Sequence, residues 1–220
     1  MKKIILSLVL CLAVLTSCKD DDPVATTATF TYSVGFTGNT SAFLNFSTGE
    51  VVITEIVWDG TLEGSSLPTS VTHSVVTTID VATGTANPAI PVIEISPGAY
   101  SNISMGIELE DNGVDDNIIL KGIFTHSDAS TFPIEFYFNS GEVFESTLTS
   151  LTIAPGSNTI CTLNLDPILW FANITQSELE DATLTSGTIV LSESSNATLY
   201  DKVEEAILGA TTNDSSITCN

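Results

Sequence analysis

Six oxygen-bearing side chains fall within eight residues of the segment LEDNGVDDNI: Glu110, Asp111, Asn112, Asp115, Asp116 and Asn117. Hard cations such as calcium take about six to eight oxygen ligands, so Asp111, Asp115, Asp116 and Asn117 form a candidate calcium set. The spacing is not that of an EF-hand loop. Counted from Asp111, the third position is Gly113, and the twelfth, where a bidentate glutamate belongs, is Gly122. A second reading needs no ion: Asn112-Gly113 is a favoured tight-turn pair, which predicts a hairpin between strands at 102–110 and 118–125.

Other constellations are thinner. His73 and His126 stand alone, without Cys or His at ligand spacing, and read as rim residues beside strand ends. No Gly-x-Ser-x-Gly elbow is present, so no serine is marked as a nucleophile. Acid pairs for glycoside cleavage meet only in space, and 27 carboxylates supply chance pairs; no catalytic residues are expected, and the chain is not expected to be an enzyme. Trp58, Tyr100 and Tyr137 are candidates for stacking on a ligand by strand phase or by nearness to a turn. Trp170-Phe171 are expected to pin the DPILWF turn to a core.

The elements that must position these residues are mostly strands. Phe30, Tyr32, Val34 and Phe36 alternate with Thr31, Ser33 and Gly35, and Ile103, Met105, Ile107 and Leu109 alternate with polar or small residues. Phe132, Ile134, Phe136 and Phe138 repeat the pattern, which suits strands with one buried and one wet face. VVITEIVW (51–58) and IILKGIF (118–124) are apolar on both phases and predict central strands covered on each side. Further strands are predicted at 73–80, 90–95, 143–153 and 158–165, punctuated by STG, ATG, SPG and APG turns. Helix is scarce. Asp166 and Pro167 open a short turn, and Leu199, Val203, Ala206 and Ile207 fall on one face of a helix over about 196–208 that stops at Gly209. Nine or ten short strands at this spacing argue for an all-β, antiparallel β-sandwich with a short C-terminal helix, formed by residues 30–220 as one domain.

Charge sets further limits. The chain carries 27 acidic residues against five lysines and no arginine. Nucleic-acid binding needs a basic footprint to release counterions, and docking on anionic lipid needs one too; neither is available. At the N-terminus, Lys2 and Lys3 precede an apolar run of twelve residues, Ile4 to Leu15, too short for a membrane span and typical of an export signal at 1–17. The polar stretch KDDDPVATTAT, 19–29, reads as a tether that reaches about 35–40 Å when extended. Of the four cysteines, Cys11 leaves with the signal. Cys161 and Cys219 have two readings: a disulfide closing a loop of nearly sixty residues, or a buried Cys161 thiol in phase with Leu163 and Leu165 and an unpaired Cys219 at the chain end.

LTSC, 15–18, resembles the bacterial lipobox, and the resemblance implies lipidation of Cys18, with residues 18–29 as lipidated cysteine and tether. Several acyl chains are needed for firm anchoring, since each buried methylene contributes about 0.8 kcal/mol. Lys19-Asp20-Asp21-Asp22 resembles the export signal of Bacteroidetes-type surface lipoproteins, which implies an outer-membrane anchor facing the cell exterior, with the periplasmic face as the alternative. VVITEIVW, IDVATG, IPVIEISPGAYSNISMGIEL and LTIAPGSNTICTLNLD, in that order, resemble an uncharacterised family of bacterial lipoprotein β-sandwich domains over about residues 45–166. The resemblance implies a sandwich of immunoglobulin- or transthyretin-like general architecture. Together these readings predict a lipid-anchored surface binding or adhesion module for a glycan or protein ligand, with no cofactor other than the calcium of the acidic segment. The alternatives are a fimbrillin-like subunit assembling by exchange of the TFTYSVGF strand, or an accessory of a glycan-uptake system.

Overall fold

A computed structural model of the chain describes residues 27–209 and 215–220. The expected export signal, Cys18 and nearly all of the acidic tether lie outside the described residues. In chain order the strands are β1 (Ala28–Phe36), β2 (Leu44–Leu62), β3 (Thr69–Asp80), β4 (Ala86–Asn87), β5 (Ile93–Ile95), β6 (Gly98–Leu109), β7 (Ile118–Thr125), β8 (Thr131–Phe138), β9 (Val143–Ile153) and β10 (Asn158–Leu165). Helices α1 (Pro167–Trp170) and α2 (Gln176–Glu180) are followed by β11 (Leu184–Thr185) and β12 (Thr188–Leu191), then by α3 (Ala197–Leu208) and the strand β13 (Ser215–Cys219). The predicted all-β sandwich is the observed architecture. The strand predicted at 90–95 shrinks to three residues because Pro91 offers no N–H to a ladder.

A small sheet runs β13-β10-β1-β5, and a large one runs β11-β12-β8-β7-β2-β3-β4 with β6 on β2 and β9 on β6. The nineteen residues of β2 organise the large sheet. Its first half, Leu44–Val51, pairs with β7, and its second half, Ile53–Leu62, pairs with β6 along the same edge. The strands β6 and β7 therefore lie end to end on one template rather than side by side. This corrects the hairpin predicted at Asn112-Gly113: the segment 110–117 is an excursion between two collinear strands, and Gly113 only turns it, at φ 69°. The sandwich is also not purely antiparallel, since β1 pairs with β10 and β12 with β8 in parallel. Each of those pairs is joined by a long crossover rather than a hairpin, as parallel neighbours require.

Among the described residues, one face of the large sheet is covered. Over the β2–β6 half lies the small sheet, with the rings of Phe30 and Trp58 5.6 Å apart and the Tyr32 hydroxyl donating to the Gly106 carbonyl at 3.1 Å. Over the β7–β8 half lie the helices: Phe171, just past α1, sits 4.7 Å from Phe46 and 5.4 Å from Phe136, and the Tyr200 ring of α3 lies tilted 6.0 Å from Phe136. The other phase of β2 and β7 is half-buried or exposed, Ile123 being 41 % exposed, so the prediction of cover on both faces does not hold. Trp170 and Phe171 are buried as expected. Asp166 precedes Pro167 at the start of α1 but makes no side-chain capping bond. Helix α3 keeps the predicted bounds, burying Leu199, Tyr200, Val203 and Ile207 and ending at Gly209. The chain then returns as β13, so Cys219 is held in a ladder, directly opposite Cys161 with their Cα atoms 4.2 Å apart, and the two are joined in a disulfide.

Candidate functional site

Parallel pairing brings like ends of strands to one rim. Because β8 and β12 run the same way, with Phe136 opposite Leu191, the segments leaving both strands emerge side by side. The start of β7 lies at the same rim, Ile118 being opposite Phe138, so the acidic excursion 110–117 arrives there as well. Where these segments meet is a cleft of about 400 Å³ lined by Asp116, Tyr137, Asn139, Val190, Ser192, Glu193, Ser194 and Tyr200. Tyr137, Asn139, Val190 and Ser192 belong to the outward phase of their strands, opposite to the buried Phe136, Phe138 and Leu191. Tyr200 comes from α3 on the inner side, so the cleft wraps over the rim.

Two asparagines build that rim. Asn117, 2 % exposed, donates its Nδ2 to the carbonyls of Glu110 at 2.7 Å and Ser140 at 2.6 Å, locking the acidic excursion to the segment after β8. Asn196 adopts a left-handed conformation at φ 49°, which asparagine tolerates better than most residues. Its Nδ2 donates to the carbonyls of Thr183 and Val190, and its Oδ1 accepts from the Thr183 N–H at 2.9 Å. The Ser192–Ser195 turn that presents Glu193 is closed by backbone bonds in both directions and held by this amide.

The cleft is rich in acceptors. Asp116 is open to solvent on one side, yet its carboxyl is held above the ordinary aspartate range, first by partial desolvation, then by the charges of Glu193 and Asp115. Burial is also the main cause of the raised Tyr200 hydroxyl, reinforced by Glu204, Glu193 and Asp116. The Tyr200 hydroxyl donates to Glu204 at 3.3 Å. Tyr137 donates to Glu135 at 2.6 Å, and that bond is the first cause of its own upward shift. Lys121, opposite Glu135 on β7, stands 5.8 Å from the centre of the Tyr137 ring and 3.6 Å from the Glu135 carboxylate, so the ring is fixed from behind.

The side chains of the predicted calcium set have separate partners. Asp111 accepts the Gly113 N–H at 3.0 Å, and Asn112 accepts those of Val114 and Asp115, both at 2.9 Å, while donating to Asp115 at 3.2 Å. Asp116 belongs to the cleft with Glu193, and the Asn117 amide nitrogen is spent on main-chain carbonyls. Among the described residues no group of three or more His, Cys, Asp or Glu converges as a metal set. Of the aromatic candidates, Tyr137 lines the cleft, whereas Trp58 and Tyr100, 1 % and 2 % exposed, are an edge-to-face core pair and are corrected from ligand contacts to packing. His73 lies within the edge strand β3 rather than at a strand end. His126, in the β7–β8 turn, stands 3.2 Å from Asp128 and 3.6 Å from Glu180 over a small apolar pocket of about 120 Å³. A larger depression of about 540 Å³ beside the β3–β4 turn lacks aromatic walls, and its Asp80 carboxylate is engaged by Thr83 through both backbone and hydroxyl at 2.8 Å.

Sequence reasoning missed Asn139, Glu193, Tyr200 and Asn196. SESSNA, 192–197, looked only like a helix start, and an asparagine before an apolar helical face was the one local sign of a fixed turn. Compared with protein-family models, curated proteins and solved structures, the chain finds no match.

Proposed function

We propose that this chain is a lipid-anchored binding module displayed on the outer membrane, and that its ligand is a glycan held in the rim cleft between β8, β12 and the acidic excursion. The cleft itself carries the reading: about 400 Å³ lies within the range of roughly 300–1,000 Å³ occupied by small-ligand sites. Asp116, Glu193, Asn139 and the two serines present acceptors to hydroxyl donors, and Tyr137 and Val190 give ring C–H groups an apolar wall. A hydroxyl-rich ligand satisfies closely placed carboxylates without bringing further negative charge to an acidic chain. Support for the anchor comes from the lipobox-like LTSC and the Lys-Asp-Asp-Asp that follows it.

The fimbrillin-like alternative asks β1 to leave the small sheet, where Phe30, Tyr32 and Val34 are buried between β10 and β5. Burial of side chains this large contributes about 1.5–3 kcal/mol each, and the binding reading needs no such exchange. A glycan array probed with residues 24–220 tests the binding reading, followed by calorimetry on any hit with Asn139→Ala and Glu193→Gln. Silence across the array, or hits unaffected by both substitutions, refutes it. Cys18→Ala in cells tests the anchor: palmitate incorporation and membrane retention are both lost if Cys18 holds the lipid.

A further inference from the structure

Strand β3 lies towards one side of the large sheet, and among the described residues its outer edge carries only the two-residue β4, paired at Thr78 and Ile79. Among the described residues, no strand lies beside that edge from Thr69 to Thr77. An open edge is a template for another strand, and proteins that must stay single blunt it with charge or proline. Here neither device is used: TSVTHSVVTTI, 69–79, contains no Asp, Glu, Lys, Arg or Pro in a chain with 27 acidic residues. At the other side of the sheet, β9 is flanked by β13, whose Ser215 hydroxyl donates to the Glu145 carbonyl.

We infer that β3 is a self-association edge and that its occupant is β3 of a second copy, added antiparallel about a two-fold axis. Charge selects this occupant. Two copies of a strongly acidic chain repel wherever carboxylates meet, so they approach at the stretch that has none. The carboxylates of β2 on the outer face, Glu55 and Asp59, sit one strand back, opposite Ser74 and Ser70, and Asp80 stands at the far end of β3. Across a joined edge those of β2 are three strand spacings apart, about 14 Å, beyond the screening length of about 8 Å at physiological salt. Strand phase also suits a copy of itself. Ser70, Thr72 and Ser74 are exposed while Val71, His73 and Val75 are half-buried. A two-fold axis through the strand sets hydroxyls against hydroxyls and valines against valines or histidine, pairs that favour cross-strand contact. The irregularity opposite Ile53/Glu55, which adds a residue between Ser74 and Thr77, limits the ladder to the N-terminal part of the strand.

The test uses the full-length chain in the cells that produce it. Thr72→Cys, treated with a short bis-maleimide, is expected to yield a cross-linked species of twice the monomer mass, several-fold above that from Ser150→Cys on β9. Ser74→Lys in the Thr72→Cys background is expected to return the yield to the control level. Raising salt to 1 M is expected to increase the yield, because only repulsion between copies is screened. Equal yields from Thr72→Cys and Ser150→Cys overturn the inference, as does a product of any other mass or a yield that falls with salt.

Discussion

Removing the Cys161–Cys219 disulfide has a magnitude that follows from its place in the chain. The bond joins residues 58 apart in sequence. On the chain-entropy account a loop of that length lowers the entropy of the unfolded chain by about 14 cal/mol/K, or about 4 kcal/mol at 25 °C. Little native geometry is lost with the bond. The two cysteines already face each other in the β10–β13 ladder, and the flanking residues Ile160 and Asn220 exchange backbone bonds of 3.1 and 3.0 Å. The Cα separation of 4.2 Å is close to the roughly 4.5 Å of a non-hydrogen-bonded antiparallel pair, so the strands sit where they would without the sulfurs. Cys161→Ala/Cys219→Ala is therefore expected to fold with an unchanged far-ultraviolet spectrum. For a domain of this size about 4 kcal/mol corresponds to a fall of about 8–16 °C in Tm. Scanning calorimetry of the variant against the oxidised parent measures it. A fall of less than about 3 °C refutes the loop-entropy reasoning, and loss of the folded spectrum refutes the claim that the ladder stands without the bond.

Tyr32→Phe removes the hydroxyl bond to the Gly106 carbonyl that bridges the two sheets, an expected loss of about 0.5–1.5 kcal/mol in urea unfolding. In the parent, burial raises the Tyr32 and Tyr100 hydroxyls and is the main cause of the rise at Tyr200, so absorbance at 295 nm is expected to show tyrosine ionisation delayed above the ordinary tyrosine range until the protein unfolds in alkali. Glu178 is pulled down to about 2, chiefly by its bond from Lys202 and then by its bonds within the Thr175 capping box. A depressed carboxylate contributes stability above its ordinary value that is lost as pH falls towards about 2, so Lys202→Met is expected to move acid unfolding, followed by circular dichroism, to higher pH. Asp116 has the opposite sign: its contribution is present below the ordinary aspartate range and is lost as pH rises through the raised value. Glu193→Gln is expected to lower the Asp116 value by carboxyl NMR without restoring it fully, because desolvation, the larger cause, remains.

Strand phase was legible because it is local. The alternating side chains of β1, β6, β8 and β10 name their own buried face, and the helical stripe of α3 names its bounds. Partnership was not legible, because it is decided by residues far apart. The residues 118–124 looked like the second arm of a hairpin from Asn112-Gly113, and only the length of β2 shows that both arms share one template. Tyr137 could be proposed from its phase alone. Trp58 could not be judged that way: the same alternation placed it on the face that the small sheet covers, beneath Phe30.

The cleft depends on what was least readable. Had β8 and β12 been antiparallel neighbours, the segment after β12 would leave at the opposite end of the sheet, and Glu193 would sit some four residues of strand, about 13 Å, from Asn139. Parallel pairing requires a crossover, and here the crossover includes β9, β10, α1 and α2, so no short sequence window spans both walls of the site. The side chains of the acidic segment take separate places in this arrangement. Asp111 and Asn112 spend their oxygens on turning the chain, Asn117 ties the turn to the segment after β8, and Asp116 alone reaches the cleft. The candidate site is thus made by three segments that the sheet delivers to one rim.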